Sequence, residues 1–291
     1  MEVKLNNFKK TPVVIIHRGF QPYLKYNLEI TSKNNEVILI GDSDVKEMTK
    51  LNNNLHFIDI SYYENNKSIN QMKNYFVNFS TNNAEFEWRC FERIFIIKKL
   101  LEDQNIKNVF HIDSDAVLLV DVNTLIFNND CAYMIPSFQD GYRMDSSVHF
   151  GLLDINFCKQ FHKLYKEIYV DGSKFNLIEG KINHHKINEI KGGICDMTLY
   201  YLLNQQNYLE PQNLMKEILD INDKEFIFLN NINLSEGYYD LKNFKMKKNY
   251  IDISKRKAYD IIQSKKIKVA GIHFQGSAKR KINRFLKYKL L

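Results

Sequence analysis

Residues 109–119 read Val-Phe-His-Ile-Asp-Ser-Asp-Ala-Val-Leu-Leu, two apolar runs with Asp113 and Asp115 between them. The first run, bounded upstream by the polar stretch 102–108, predicts a buried strand. Two acids at the mouth of such a strand are costly to bury unpaired. Alternation puts residues i and i+2 on one face of a strand, so the two carboxylates are expected to converge on one point. A divalent cation is the simplest compensation. Oxygen ligands suit Mg²⁺ or Mn²⁺, which in turn hold nucleotide phosphates. The bland alternative is a chance Asp-X-Asp in a charged loop.

The chain of 291 residues is long enough for a sizeable core, and its 44% hydrophobic and 26% charged residues are ordinary for a soluble globular protein. No apolar run approaches the roughly 18 residues of a membrane span. The N-terminus carries no signal-peptide core. The four cysteines, Cys90, Cys131, Cys158 and Cys195, lack metal-ligand spacing and read as reduced thiols of a cytoplasmic protein. Much of the net charge of +7 lies in the last quarter. No nucleic-acid recognition motif accompanies that charge, so nucleic acid is not the expected partner. A diphosphate-bearing ligand or an anionic membrane surface fits instead.

Apolar runs at 12–17, 36–41 and 55–60, with a helical segment at 21–32, form an α/β nucleotide-binding opening. No Gly-X-Gly-X-X-Gly and no P-loop pattern is present. Residues 61–85 are polar and Asn-rich, a loop with a helix inside it. Residues 86–103 predict a helix with Phe91, Ile94, Phe95, Ile97 and Leu101 toward one side and Arg89, Glu92, Lys99 and Glu102 on the other. Strands are expected at 131–135, 148–155, 226–229 and 268–273, and helices at 156–169 and 196–203. Asp196 suits the capping position of the second helix. Residues 171–191 read as a loop. One mixed domain is expected over residues 1–291, ending in a basic C-terminal segment.

A second informative stretch is Gly-Ile-His-Phe-Gln-Gly-Ser-Ala-Lys-Arg at 271–280. An imidazole at 273 completes a site begun by two carboxylates. Gly276 lets backbone approach a phosphate closely, and Lys279 supplies a positive charge to a diphosphate. Read alone, the stretch is also a strand-ending His before a basic surface loop.

Together, Asp-X-Asp after a strand and His-X-X-Gly-X-X-Lys near the C-terminus resemble the GT-A glycosyltransferases, and most of all the retaining galactosyl- and glucosyltransferases of family 8. The resemblance implies a Rossmann-like α/β fold: a mixed, mainly parallel sheet flanked by helices in a single domain, with residues 1–120 as the nucleotide-sugar-binding half and 121–291 as the acceptor half with the basic C-terminal segment. It implies Mn²⁺ (or Mg²⁺) on Asp113, Asp115 and His273, with Gly276 and Lys279 on the diphosphate. It places Arg93, or alternatively Arg89, on the donor. The strand 149–156 resembles the family's strand beside the sugar site, so His149 and Gly151 are assigned to sugar or acceptor. The family's Asp-Gln at a helix start corresponds to Asp196 and Met197, which makes Asp196 the catalytic candidate and leaves the Gln role unfilled. His17 and Asp42, where the first two strands end, are expected at the donor because ligands gather at the carboxyl ends of parallel strands.

The resemblance thus implies transfer of a sugar from a nucleoside diphosphate donor, a UDP-sugar, to a glycan or lipid-linked acceptor, with retention, in glycan or surface polysaccharide synthesis. The segment 279–291 mixes Lys and Arg with Phe285, Leu286, Leu290 and Leu291, which suits peripheral contact with the inner membrane surface or packing on the domain. Two other classes remain open. A haloacid dehalogenase-type phosphatase would use Asp113 as nucleophile, and a non-catalytic protein would bind nucleotide-sugar without turnover. Asp196 as a plain helix cap, Arg93 paired to an acid on its own helix, and His149 as a packing residue are the alternatives at single positions.

Overall fold

Alternating apolar runs and amphipathic helices build the N-terminal half. The computed structural model describes residues 8–136, 139, 142–229, 251–252, 257–259 and 266–283. In chain order the half contains β1 (Val13–His17), α1 (Pro22–Thr31), β2 (Val37–Gly41), α2 (Ser43–Lys46) and β3 (Leu55–Asp59). Next come α3 (Ser61–Glu64), α4 (Lys67–Tyr75), α5 (Ala84–Gln104) and β4 (Asn108–Ile112). The three strands β3, β2 and β1 lie parallel, and β4 continues the parallel array beside β1. Val13, Val14 and Ile15 are all buried, as a strand covered on both faces requires.

The Asn-rich stretch before α5 is more ordered than a loop. Asn66 caps α4 by accepting from the Ser68 and Ile69 N–H groups, and Asn83 caps α5 in the same way through Glu85 and Phe86. Helix α5 ends at Asn105, whose positive φ of 51° closes the last turn. Its polar side departs from expectation at one residue. Glu92 is buried, because Arg18 from the loop after β1 reaches it at 2.5 Å.

The second half contributes β5 (Ala116–Leu118), β6 (Ala132–Met134), β7 (Ser147–Asp154), α6 (Ile155–Tyr165), α7 (Asn176–Ile187), α8 (Asp196–Gln205) and β8 (Gln212–Asn213). The sheet order is β3-β2-β1-β4-β7-β6-β8, with β7 antiparallel to both β4 and β6. The expected mixed, mainly parallel sheet flanked by helices is therefore what forms. Helix α7 stands where a loop was expected. Only Ile178 and Lys181 of it are buried, so its apolar period is too weak to read in the sequence.

A second sheet was not anticipated as such. It consists of β9 (Ile218–Leu219), β10 (Glu225–Leu229), β11 (Ile251–Asp252), β12 (Lys257–Tyr259) and β13 (Lys266–His273), with the short β5 paired to β13. Strand β13 lies parallel to β10 and antiparallel to β5. Gly271 permits this sheet to pack on the first: a Cβ there would stand 2.7 Å from the Phe150 ring of β7. Among the described residues, no helix is long and apolar enough to cross a membrane. The four cysteines are free thiols.

Candidate metal and donor site

The site grows from the end of β4. The strand stops at Ile112, and Asp113 to Asp115 form a turn in which the Ala116 N–H donates to the Asp113 carbonyl at 2.9 Å. Asn27 of α1 braces the turn by donating to the Ser114 carbonyl at 2.9 Å. The two acids thus meet through a turn, and not by alternation along a strand as the sequence suggested. The turn's two carboxylates are joined by an imidazole through backbone pairing. Ala116 of β5 faces His273 of β13, and the Phe274 N–H donates to the Asp115 carbonyl at 2.9 Å. One oxygen each of Asp113 and Asp115 and one nitrogen of His273 lie within 4.8 Å of one another. His273 Nε2 is 3.4 Å from Asp115 Oδ1, and both residues are buried. Two carboxylate oxygens and one imidazole nitrogen, brought together where water is scarce, fit a single divalent ion such as Mn²⁺ or Mg²⁺.

Two cations flank these ligands. Lys279 Nζ lies 3.0 Å from Asp115 Oδ2 and 5.2 Å from the centre of the Tyr23 ring. Arg93 Nη1 lies 2.5 Å from Asp113 Oδ1, and its Nη2 lies 3.7 Å from Asp196 Oδ2. Arg93 therefore reaches across to the site and does not pair with an acid of its own helix. Arg89 does: it pairs with the exposed Glu85 one turn earlier. Burial pushes the Asp113 carboxyl up, but Arg93 and the nearby imidazoles outweigh it and hold the group well below the usual carboxylate range. Burial opposes charge on Lys279, and Asp115 more than restores it.

Asp196 is the first residue of α8, and the capping position falls to Cys195, whose side chain makes no capping bond. The carboxylate instead accepts from the Met197 N–H at 2.9 Å and from the Tyr200 hydroxyl at 3.1 Å. Burial raises its pKa, with Arg93 opposing. Asp113 and Asp196 thus share one guanidinium.

His149 is buried, with its ring parallel to that of His273 at 4.2 Å between centroids and 22°. Gly151 lies two residues on in β7, opposite His111 of β4 and Tyr133 of β6; a Cβ there would touch Leu153 and Val148 at 3.3 Å. His17 and Asp42 stand at the carboxyl ends of β1 and β2. The Gly19 N–H donates to Asp42 Oδ2 at 2.7 Å. Asp42 Oδ1 and His17 Nε2 are buried with no hydrogen-bond partner among the described residues. The His17 ring meets the Tyr23 ring edge-on at 6.0 Å, so Tyr23 joins the His17 end of the site to Lys279. Gly276 opens the turn Gly276–Lys281 with φ at +59°, and the space beside its Cα is open.

Three participants escaped sequence reasoning. His111 is buried, its Nδ1 2.6 Å from the Val148 carbonyl and its Nε2 4.0 Å from Asp113 Oδ1. Burial pushes it down to about 4, so it is neutral at neutral pH. Its position two residues before Asp113 was a usable signal. Ser147, beside His149, and Tyr23 carried none, since their roles depend on partners distant in sequence.

No family model and no curated protein sequence matches the chain. Among solved structures it is similar to an active-site mutant of LgtC, at 12% identity and a TM-score of 0.48, over 96% of each chain. It is similar to mouse xyloside xylosyltransferase 1 in its apo form, at 9% identity and a TM-score of 0.43, over 67% of this chain and 82% of that one. It is also similar to the bifunctional glycosyltransferase WbbM, at 13% identity and 0.44, over 95% of this chain and 48% of that one.

Proposed function

We propose that the chain is a metal-dependent glycosyltransferase that moves a sugar from a nucleoside diphosphate donor, a UDP-sugar, to an acceptor hydroxyl of a glycan or lipid-linked saccharide. The observation that carries this reading is the meeting of Asp113, Asp115 and His273 within 4.8 Å, with Lys279 on one acid and Arg93 on the other. The chemical difficulty is charge. As the bond to the sugar breaks, negative charge grows on the departing diphosphate while the sugar becomes cationic.

Asp113, Asp115 and His273 would hold Mn²⁺ or Mg²⁺, which supplies Lewis acidity to the diphosphate. Lys279 and Arg93 would donate to the same leaving group from two sides. Gly276 lets the backbone come close to the phosphates. His17 and Asp42, with an unpaired ring nitrogen and an unpaired carboxylate oxygen, are the polar groups left for the nucleoside. Asp196 faces the positive charge on the sugar, and His149 and Gly151 lie along the strand assigned to the sugar. Residues 1–120 would form the nucleotide side and 121–291 the acceptor side, with the ion held from both.

Met197 offers no nucleophile, so the reading favours retention by a front-face reaction in which the leaving phosphate takes the acceptor proton, with Asp196 as the candidate nucleophile of the alternative double displacement. A phosphatase using Asp113 would leave His273 and Lys279 without work, yet both lie against Asp115. Of the basic C-terminal segment, Ile282 is buried against the domain, which favours packing for that part. Its residues 284–291, with Phe285, Leu286, Leu290 and Leu291 and the expected membrane contact, lie outside the described residues.

The test is a UDP-release assay over a panel of UDP-sugars with and without Mn²⁺, alongside calorimetry with UDP. Metal-dependent UDP affinity and turnover of one donor support the proposal. Phosphate-ester hydrolysis without UDP affinity returns it to the phosphatase, and affinity without turnover of any donor returns it to the binding protein.

A further inference from the structure

Behind the three ion-binding side chains stands His149, and it touches two of those residues at once. Its carbonyl accepts the Asp113 N–H at 3.3 Å. Its ring lies against the His273 ring at 4.2 Å and 22°. The neighbouring Phe150 fills the space beside Gly271, so β7 and β13 are locked together at this point.

Ser147 in turn fixes His149. Its Oγ accepts the His149 N–H at 3.2 Å and lies 2.5 Å from Nδ1. Nε2 is buried with no hydrogen-bond partner among the described residues, so Ser147 alone holds the ring edge. Neither ring nitrogen of His149 joins the ligand atoms that meet within 4.8 Å. What it presents to the site is its face.

A ligating imidazole turns easily about its last side-chain torsion, whose energy wells are broad. Groups that orient such a ring from behind change metal affinity about 10–100-fold when removed. We infer that His149 is a positioning residue of the ion site: its ring face sets the plane of the His273 imidazole, and its carbonyl holds the Asp113 turn. The inference rests on the proposed reading of Asp113, Asp115 and His273 as ion ligands. It requires nothing of the sugar or the acceptor.

The face of the ring, and not its nitrogen, is what the inference needs. His149→Phe keeps an aromatic face, and His149→Ala removes it. Calorimetric titration of the full chain with Mn²⁺ should show His149→Ala weakened about 10-fold or more and His149→Phe within about threefold of the unsubstituted chain. The visible absorption of bound Co²⁺, which reports ligand geometry, should change in His149→Ala and stay unchanged in His149→Phe. Should His149→Ala fail to fold, Ser147→Ala serves in its place, and the freed ring should broaden the Co²⁺ band and weaken Mn²⁺ binding. Unchanged Mn²⁺ affinity in His149→Ala, or in Ser147→Ala where that stands in, overturns the inference. So does an affinity of His149→Phe as poor as that of His149→Ala. Absence of Mn²⁺ binding by the unsubstituted chain is a different result and removes the ion site itself.

Discussion

His273 Nε2 stands 3.4 Å from Asp115 Oδ1 although the two residues lie far apart in the chain. Backbone pairing accounts for it. The three-residue strand β5 leaves the Asp113–Asp115 turn and pairs antiparallel with β13, so that the last residue of β13 faces the first of β5. The peptide after His273 then closes on the Asp115 carbonyl. Side-chain convergence at this site is a consequence of sheet register.

Asp113→Asn removes one of the two carboxylates proposed to hold the ion while keeping the shape of the turn. Metal-dependent UDP release should fall by at least about 100-fold. The thermal unfolding midpoint should fall as well, because Asn leaves Arg93 without the charge of one of its two carboxylates. Full turnover in the variant would show that Asp113 does not hold the ion.

Arg93 serves Asp113 and Asp196 together, so its loss leaves two carboxylates without their cation. Arg93→Ala should destabilise the fold by about 3 kcal/mol in urea unfolding, the scale of breaking a buried pair on one side. Arg93→Lys should recover only part of this, since one ammonium does not span both acids as the guanidinium fork does. Full recovery by lysine would show that only the charge matters.

Gly271→Ala tests the contact between the sheets. The added methyl would meet the Phe150 ring at 2.7 Å, and overpacking of that kind costs about 1–3 kcal/mol. Because β13 carries His273, Mn²⁺ affinity should drop along with the unfolding midpoint. A variant with both values unchanged would mean that Phe150 yields freely.

Acid should destabilise the protein through its buried histidines. His111 is pushed down to about 4 by burial, and burial also lowers His149, with His273 adding to the effect. An unfolded histidine titrates near pH 6.5. Between those values the unfolded chain binds protons that the folded chain refuses, so stability is full above about pH 6.5 and is lost as pH falls toward 4. His111 alone accounts for about 3 kcal/mol of this by pH 4. Urea midpoints measured in EDTA across that range should show the slope, and His111→Gln should flatten it. Asp113, held low, adds a further loss below about pH 4. A midpoint independent of pH across the range would show that the histidines are not buried neutral.

The sequence alone determined the elements whose signal is local. Apolar runs marked the parallel strands, apolar periodicity marked α5, and the spacing Asp113-X-Asp115 and His273-X-X-Gly276-X-X-Lys279 marked the residues that the fold brings together as the candidate site. Helix α7 was hidden because it buries too few side chains to leave a period. Tertiary structure alone decided the rest. The second sheet is built on the pairing of β13 with β10 and β12, and β5 joins it at β13; no local pattern encodes which strands will pair. Arg93 was chosen over Arg89 by which turn of α5 faces the Asp113 turn. Asp196 became a partner of Arg93 and Tyr200, not a helix cap, because α8 is packed with its first turn against that guanidinium. His111 and His149 acquired their places only when β4 and β7 were laid side by side. Residue type and spacing travel along the chain, whereas register and burial exist only after the sheets have packed.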